Sequence, residues 1–119
     1  KAVNDRYGHL AGDRVLVELS QIARQQTRDS DLLARWGGEE FVILMPETGP
    51  NDASTVAEKI RTTFDIHRFP DLGTVTVTAS FGIAAFRFSE SLDRWISRAD
   101  GALYEAKQEG RNRVQLASV

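Results

Sequence analysis

The residues of this chain best suited to chemistry lie in the run Gly37-Gly38-Glu39-Glu40, between two short apolar segments. Glycines have no side chain, so a phosphate group can approach the backbone closely and accept hydrogen bonds from its N–H groups. Adjacent carboxylates are hard oxygen ligands of the kind that Mg²⁺ takes together with substrate phosphates. The run predicts either a metal-dependent phosphate site or, more simply, a two-glycine turn with two solvated glutamates.

Two pairs of charged residues have the composition of a phosphate-binding site. Lys107 and Arg111 lie four residues apart across the end of the last predicted helix, where they either clamp phosphate oxygens or complement the negative helix C-terminus. Arg28 and Asp31, in a predicted surface turn, either grip a planar phosphorylated ligand or form an ordinary charged loop. Spacing alone leaves both alternatives open for each pair.

Asn4 and Asp13 offer an amide and a carboxylate, which together can read the edge of a guanine base. Taken singly, they are a turn residue and the N-cap of the first helix, and this simpler interpretation also fits. Neither His9 nor His67 has a partner at metal-ligand spacing, so neither is assigned a catalytic role. Trp36 is expected to lie in the hydrophobic core.

The composition of the chain excludes several classes of function. The 119 residues are 41% apolar and 27% charged, which is typical of one folded domain. A net charge of −2 argues against a nucleic-acid module that binds through bulk phosphate attraction. The absence of cysteine excludes a disulfide framework and a thiolate zinc site. With no apolar run of membrane-spanning length and no signal peptide, a soluble cytoplasmic domain is expected.

Hydrophobic periodicity predicts the elements that must position these residues. Helical spacing of apolar residues indicates helices, apolar segments flanking the two glycines indicate a hairpin, and period-two alternation indicates a further strand. The predicted elements are helices Asp13–Arg28, Asp52–Phe64 and Ser91–Glu109, hairpin strands Leu32–Trp36 and Phe41–Met45, and strands Thr74–Phe81 and Arg113–Leu116. Gly110 is expected to end the last helix. This order predicts an α+β fold with helices packed over a mainly antiparallel sheet.

The strongest sequence signal is the order of several short segments along the chain. These segments are Val3-Asn4-Asp5-Arg6-Tyr7-Gly8-His9, Gly12-Asp13, Arg35-Trp36-Gly37-Gly38-Glu39-Glu40-Phe41, Ala57-Glu58-Lys59-Ile60-Arg61, Ser80-Phe81-Gly82-Ile83, Arg98-Ala99-Asp100-Gly101-Ala102-Leu103-Tyr104-Glu105-Ala106-Lys107 and Gly110-Arg111-Asn112. In this order the chain resembles the GGDEF domain of diguanylate cyclases over essentially its whole length, with glutamate as the third letter of the signature. Residues 1–119 are accordingly expected to form one such domain.

The resemblance implies an enzyme that condenses two GTP molecules into cyclic di-GMP and releases two pyrophosphates. It implies the fold of nucleotide cyclases and polymerase palms, a ferredoxin-like five-stranded sheet flanked by helices. In this family the 3′-hydroxyl of each GTP attacks the α-phosphate of the other, so a homodimer is expected. An upstream sensory domain usually arranges the dimer and can anchor the parent protein in a membrane. No nucleic acid or membrane contact is implied for the domain itself.

The resemblance also assigns roles to residues by motif position. Glu39 matches the metal ligand, and Glu40 matches the second acidic residue at the metal and reacting centre, with Mg²⁺ or Mn²⁺ as the cofactor. The implied substrate-binding residues are Gly37 and Gly38 at the phosphates, Asn4 and Asp13 at guanine, and Lys107 and Arg111 at phosphate oxygens.

A separate inhibitory site is implied by the R-x-x-D pattern of Arg28 and Asp31. In the family this site binds product dimers and holds the two domains apart, which gives feedback inhibition. Lys59 stands where many members place an arginine of a secondary inhibitory contact. A lysine keeps the charge and loses the guanidinium fork, so the strength of that contact is left open.

The family pattern begins with a strand that precedes the position of Val3 and carries an aspartate metal ligand. That strand is central in the family's sheet, between the hairpin and the strand at Val75–Phe81, and this chain starts at Lys1. The chain is therefore interpreted as an N-terminally truncated domain, and alone it is not expected to cyclise GTP, because backbone groups of the sheet would be unpaired. Two alternatives stay open: a non-catalytic receptor for GTP or cyclic di-GMP, and a structural dimerisation module.

Overall fold

The computed structural model describes residues 9–37, 40–68 and 77–117, and helices and strands alternate within them. The elements are α1 (His9–Gln26), β1 (Leu32–Gly37), β2 (Glu40–Leu44), α2 (Pro50–Ile66), β3 (Phe81–Ile83), α3 (Leu92–Gln108) and β4 (Val114–Leu116). The predicted mixture of helices and strands is confirmed. In the described ranges, none of the helices combines the length and the apolar character that crossing a bilayer requires.

Helices α1 and α2 pack around the main apolar cluster of the described residues. Its buried centre consists of Val15, Ile22 and Phe64, with Leu19, Val77 and Ala79 packed against it. Val15, Leu19 and Ile22 are three or four positions apart, so they lie on one face of α1. Pro50 occupies the first turn of α2, where the missing N–H has no intrahelical partner to lose. The core therefore fixes α1 and α2 relative to each other.

The start of α1 differs from the sequence prediction. The helix begins at His9, so Asp13 lies within its second turn and is exposed. The predicted role of Asp13 as the N-cap of this helix is therefore wrong. Aspartate is only mildly unfavourable inside a helix, so the segment before Asp13 can continue the helix in the N-terminal direction.

Strands β1 and β2 form the predicted antiparallel hairpin, with Leu32 opposite Leu44 and Arg35 opposite Phe41. The register shifts between Arg35 and Gly37, and Gly37 then pairs with Glu40. The hairpin therefore fixes Glu40 as the first residue of β2, directly after the turn.

One face of β1 is open to solvent in the described part of the chain. Leu32, Ala34 and Trp36 alternate along the strand and so share that face, and all three are exposed. Trp36 is 58% exposed, and its predicted place in the core is wrong. The size of tryptophan favours burial, but the register of the hairpin decides which face of the strand it occupies.

Strands β3 and β4 form a parallel pair, with Phe81 opposite Val114 and Ile83 opposite Leu116. A parallel pair needs a crossover connection, and α3 provides it. The described residues thus contain one antiparallel and one parallel two-stranded sheet. The hairpin has the predicted antiparallel arrangement, whereas β3 and β4 pair in parallel because the long connection between them holds a helix.

The strand predicted over Thr74–Phe81 overlaps the observed strand β3, Phe81–Ile83, at Phe81. Residues 77–80 are irregular, and 74–76 lie outside the described residues. Val77 and Ala79 nevertheless pack against the core formed by α1 and α2. The alternation at these positions therefore reflects side-chain burial rather than pairing of the backbone with a neighbouring strand.

Helix α3 has well-defined ends. Ser91 is its N-cap, and the Ser91 side chain accepts a hydrogen bond from the backbone N–H of Arg94 at 3.1 Å. At the other end, Gly110 has a φ of 120°, and the backbone N–H of Arg111 donates to the carbonyl oxygen of Ala106 at 2.9 Å. This hydrogen bond and the positive φ are those of a Schellman motif. The prediction that Gly110 ends the helix is confirmed.

Candidate functional site

Glu40 and Lys107 bring two of the predicted site segments together. The Nζ atom of Lys107, in the last turn of α3, lies 4.0 Å from Oε2 of Glu40 at the start of β2. Both side chains are partly exposed, 37% for Lys107 and 47% for Glu40, so solvent screens the ion pair and a ligand can reach it. A carboxylate and an ammonium group therefore meet where the hairpin turn adjoins the C-terminal end of α3.

The hairpin turn is described at its two ends. Gly37 ends β1 and Glu40 begins β2, whereas Gly38 and Glu39 lie outside the described residues. Of the predicted metal-binding pair Glu39 and Glu40, the structure therefore describes Glu40 alone. Among the residues that the structure describes, no group of three or more histidine, aspartate or glutamate side chains is arranged to hold a metal ion. The exposed carboxylate of Glu40 is a hard oxygen donor, and such a donor fits Mg²⁺.

Arg111 follows Lys107 around the C-terminal end of α3. It is exposed, and its φ of 62° lies in the left-handed region that non-glycine residues rarely adopt. Lys107 extends from the last helical turn, and Arg111 comes directly after the glycine that ends the helix. Both predicted phosphate-binding cations are thus at the same end of α3, where the helix dipole alone also favours positive charge.

Asp13 lines an open depression of about 450 Å³ on the exposed side of α1. The other lining residues are Arg14, Val17, Glu18 and Gln21. A carboxylate here can accept hydrogen bonds from the N–H groups of a ligand. Asn4, its predicted partner in recognising guanine, lies outside the described residues, so the pair stays a prediction.

Arg28 and Asp31 form a compact turn between α1 and β1. The backbone N–H of Arg28 donates to Oδ2 of Asp31 at 2.9 Å, and the backbone N–H of Asp31 donates to the carbonyl oxygen of Arg28 at 3.0 Å. Asp31 is only 3% exposed, and its own carbonyl oxygen accepts from Nη1 of Arg24 at 2.7 Å. Asp31 is therefore a buried turn residue, which differs from the solvated charged loop of the simpler interpretation.

The guanidinium group of Arg28 lies at the surface above this buried carboxylate. Its side chain is 58% exposed, and its Nη2 atom lies 3.7 Å from Oδ1 of Asp31. The same Nη2 atom donates to the carbonyl oxygen of Pro46 at 3.1 Å and to the hydroxyl of Thr48. Oδ1 of Asp31 is buried without a hydrogen-bond partner among the described residues. The structure thus brings the predicted pair together, with the arginine facing solvent.

Reasoning from the sequence missed the contact between Arg61 and Asn112. Nη1 of Arg61, on α2, donates to Oδ1 of Asn112 at 3.1 Å, across 51 positions of the chain. Both residues lie in segments that carry the resemblance to the GGDEF domain, and this membership is the sequence signal that could have drawn attention to them. Lys59, also on α2, is exposed, and its secondary inhibitory contact stays a prediction.

Comparison with protein families gives a match over nearly the whole chain. The family model described as diguanylate cyclase, GGDEF domain, matches residues 1–113. Diguanylate cyclase A of Treponema denticola is 44% identical over 98% of this chain and 32% of its own length. Diguanylate cyclase DgcM of Escherichia coli K12 is 44% identical over 98% of this chain and 28% of its own length. The chain spans less than a third of the length of these relatives.

Solved structures are similar over the same extent. The chain matches the active GGEEF domain of a diguanylate cyclase from Vibrio cholerae with a TM-score of 0.91 at 32% identity, covering 99% of this chain and 76% of that one. It matches the coiled coil and GGDEF domain of DgcB from Caulobacter crescentus, in complex with c-di-GMP, with a TM-score of 0.91 at 31% identity, covering 98% of this chain and 63% of that one. These similarities confirm the predicted nucleotide-cyclase fold.

Proposed function

This chain belongs to the GGDEF family of diguanylate cyclase domains, and we propose that the protein containing it condenses two molecules of GTP into cyclic di-GMP. The observation that carries the proposal is the 4.0 Å contact between Lys107 and Glu40. A carboxylate suited to a divalent cation and an ammonium group suited to phosphate oxygens stand side by side there. A triphosphate with a bound metal ion complements both groups, because the cation is attracted to the carboxylate of Glu40 and the phosphate oxygens are attracted to the ammonium group of Lys107.

The residues that would hold Mg²⁺ or Mn²⁺ are Glu39 and Glu40. When bound, the divalent cation supplies Lewis-acid chemistry, which makes a phosphorus atom more electrophilic and stabilises a leaving pyrophosphate. Gly37 and Gly38 have no side chains, so phosphate oxygens can come close to the backbone at these two positions of the turn. The turn thereby combines a cation site with room for the group that the cation accompanies.

Lys107 and Arg111 are the proposed cationic contacts of the GTP phosphates. An ammonium group acts as a point charge, whereas a guanidinium group can bind two phosphate oxygens through parallel hydrogen bonds. Their positions at the same end of α3 support a joint role. Asp13 and Asn4 are proposed to accept from and donate to the guanine edge, and the exposure of Asp13 leaves its carboxylate accessible to a ligand.

The reaction requires two copies of the domain that face each other. In each half-reaction the 3′-oxygen of one GTP bonds to the α-phosphorus of the other and loses its proton. The bond between the α-phosphorus and its bridging oxygen breaks, and pyrophosphate leaves with the bonding electrons. Each copy holds one GTP, so a homodimer is the smallest assembly that can form both new bonds.

We propose that the protein acts in the cytoplasm, where GTP is supplied. More than two thirds of each named relative lies outside the segment that this chain matches. A sensory domain in such a segment would arrange the homodimer, and membrane anchoring, where present, would belong to that part. The domain itself is proposed to bind neither nucleic acid nor membrane.

Arg28 and Asp31 are proposed to bind the product and so to limit its accumulation. The guanidinium group of Arg28 is exposed and is fixed by Pro46 and Thr48 at one nitrogen, which leaves its other donors directed to solvent or ligand. The buried carboxylate of Asp31 holds the turn beneath it. A cyclic dinucleotide offers the phosphate oxygens and planar bases that a guanidinium group binds and stacks on.

The test is turnover by the complete protein with GTP and Mg²⁺, followed by chromatography of cyclic di-GMP over time. Glu40→Gln removes the charge and keeps the shape, and it is expected to lower turnover at least about a hundredfold, as loss of transition-state charge stabilisation does. Glu105→Gln, an exposed position on α3, is the matched control and is expected to behave as wild type.

The receptor hypothesis makes the opposite prediction in the same experiment. If the protein is a receptor, the folded dimer binds GTP or cyclic di-GMP and forms no product, and Glu40→Gln leaves the response to its ligand intact. Such a result would overturn the enzymatic proposal. A dimer that binds neither nucleotide would instead favour the dimerisation module.

A further inference from the structure

Two consecutive residues after α3 have an unusual backbone conformation. Arg111 has a φ of 62° and Asn112 a φ of 46°, and neither is a glycine. The left-handed region is unfavourable for arginine, which remains there only where neighbouring groups hold it, whereas asparagine adopts it more readily. The groups that fix this turn therefore also fix the Cα atom of Arg111, from which its side chain extends.

Asn112 is bound to three residues in two other segments of the chain, the residues before β3 and helix α2. Its backbone N–H donates to the hydroxyl oxygen of Ser80 at 3.0 Å, just before β3. Its side-chain Oδ1 accepts from Nη1 of Arg61 at 3.1 Å, and its Nδ2 donates to Oδ2 of Asp65 at 3.5 Å. Nη1 of Arg61 also lies 3.5 Å from the backbone carbonyl oxygen of Asn112. The side chain and the backbone of this one residue are thus both fixed.

Arg61 is itself held in a single orientation on α2. Its side chain is only 20% exposed, and its Nε atom pairs with Oε1 of Glu58 one turn earlier. With Nε turned towards Glu58, Nη1 is directed at Asn112. The neighbouring residue Ile60 is 1% exposed and anchors this turn of α2 in the core. The contact therefore ties the turn after α3 to a rigid part of the fold.

Arg111 is restrained on both of its sides. Its own backbone N–H donates to the carbonyl oxygen of Ala106 at 2.9 Å, and the residue after it is the one that Arg61 binds. We infer that Arg61 and Asn112 are positioning residues, which act by fixing the backbone at Arg111 so that its guanidinium group is preorganised for a GTP phosphate. This inference rests on the proposed function, because it takes Arg111 as a phosphate ligand.

The test compares initial rates over a range of GTP concentrations for the complete protein and its variants. Asn112→Ala removes the side-chain acceptor for Arg61 and is expected to raise KM for GTP about tenfold, in the range of a lost hydrogen bond to a charged group, with a smaller change in kcat. Arg61→Met is expected to act in the same direction. Thr62→Ala, on the exposed side of α2 next to Arg61, is the matched control and should keep the wild-type KM.

A double mutant separates positioning from a general structural role. In the Arg111→Ala background, Asn112→Ala is expected to change KM by less than about twofold, because residues that act through one group are not additive. Glycine at position 112 adopts the left-handed backbone conformation without strain, but like alanine it lacks the side-chain oxygen that accepts from Arg61. KM for GTP is therefore expected to rise in Asn112→Gly as well. A wild-type KM for Asn112→Gly would show that backbone freedom suffices and would overturn the role of Arg61.

The experiment distinguishes failure of the proposed function from failure of the inference about Arg61 and Asn112. If the wild-type protein forms no cyclic di-GMP, the proposed function fails, and the inference about Arg111 fails with it. If the wild type is active and Asn112→Ala keeps its KM while the melting temperature falls, the contact is structural only and the inference alone is overturned. An additive rise of KM in the double mutant would overturn it as well.

Discussion

Gly82 of β3 lies directly against the backbone of Leu103 in α3. A Cβ atom built on Gly82 would lie 2.9 Å from Cα of Leu103, and it would overlap the backbone nitrogen of Leu103 and the carbonyl oxygen of Ala99. These are backbone atoms, so they cannot turn aside as the end of a flexible side chain can. Strand and helix approach each other this closely because residue 82 has no side chain.

Replacing Gly82 with alanine is therefore expected to lower the free energy of unfolding by about 2 kcal/mol, as overpacking of a tight contact does. Gly101→Ala is the matched control, since a Cβ atom added there in α3 would meet no atom within 4 Å beyond its chain neighbours and the backbone of its own helix. At that exposed helical position alanine is expected to stabilise by about 0.5–1 kcal/mol. Urea denaturation of the complete protein measures the free energy of unfolding of both variants. Equal values for Gly82→Ala and Gly101→Ala would contradict the close approach of β3 and α3.

Lys107 provides a test of the phosphate site that is independent of Glu40. Lys107→Met removes the ammonium group and keeps the apolar stem, and it is expected to raise KM for GTP about tenfold, as loss of a charged hydrogen bond does. Arg94→Met, in the first turn of the same helix, is the control for the loss of one positive charge on α3. Steady-state kinetics measures both variants. An equal KM in the two variants would remove Lys107 from the phosphate site.

Arg28 provides the corresponding test of feedback inhibition. Arg28→Ala is expected to raise the concentration of cyclic di-GMP that halves the rate by about tenfold or more, because the guanidinium group supplies charge-assisted hydrogen bonds to phosphate. Thr48→Val removes the hydroxyl that accepts from this group and is expected to have a smaller effect in the same direction. Asp29→Asn, an exposed position in the same turn, is the control. Inhibition of wild-type strength in Arg28→Ala would place the inhibitory site elsewhere.

Glu90 and Arg98 stabilise the loop that leads from β3 into α3. Nε of Arg98 lies 2.8 Å from Oε2 of Glu90, and the backbone N–H of Arg87 donates to Oε1 at 3.1 Å. Burial raises the pKa of the Glu90 carboxyl, but these hydrogen bonds and the charges of Arg98 and Arg87 lower it by more. The net pKa lies below the ordinary value for glutamate, so the folded state favours the charged form.

The pH dependence follows from the direction of that shift. A lowered folded pKa contributes stability that is fully present above the ordinary glutamate pKa of about 4.3 and is lost as the pH falls through the lowered value. Glu90→Gln is therefore expected to be less stable than wild type at pH 7, and the difference is expected to shrink in acid. Denaturation of both proteins at several pH values measures it. A difference that is constant with pH would contradict the ion pair.

Local patterns in the sequence predicted the parts of the fold that local interactions decide. The hairpin was predicted from the two glycines between apolar segments, and its strands are found as β1 and β2. The end of α3 was predicted from Gly110, whose positive φ depends on its own lack of a side chain. Each of these signals is contained in a few neighbouring residues, so no knowledge of the tertiary structure was needed.

Apart from the N-cap role of Asp13, the structural features that the sequence did not predict correctly depend on contacts between distant segments. The alternation around Val77 predicted a strand there, but Val77 packs on the core, and within the described residues 77–83 the pairing begins at Phe81. Trp36 is exposed because hairpin register, not residue type, sets its face. The contact of Arg61 with Asn112 joins positions 51 residues apart, and α2 reaches Asn112 because it packs against β3 and β4. No spacing rule along the chain predicts such a neighbour.

The parallel pairing of β3 with β4 has a consequence for the order of events in folding. The two strands meet only after the whole of α3 has returned across them, and such non-local contacts form late, because closing a long segment of chain costs entropy. Lys107 and Arg111 lie inside this crossover, so they reach their final positions with the last strand. If Lys107 and Arg111 bind nucleotide as proposed, GTP would stabilise only the state in which β4 has paired with β3, and it would not bind the chain before that pairing.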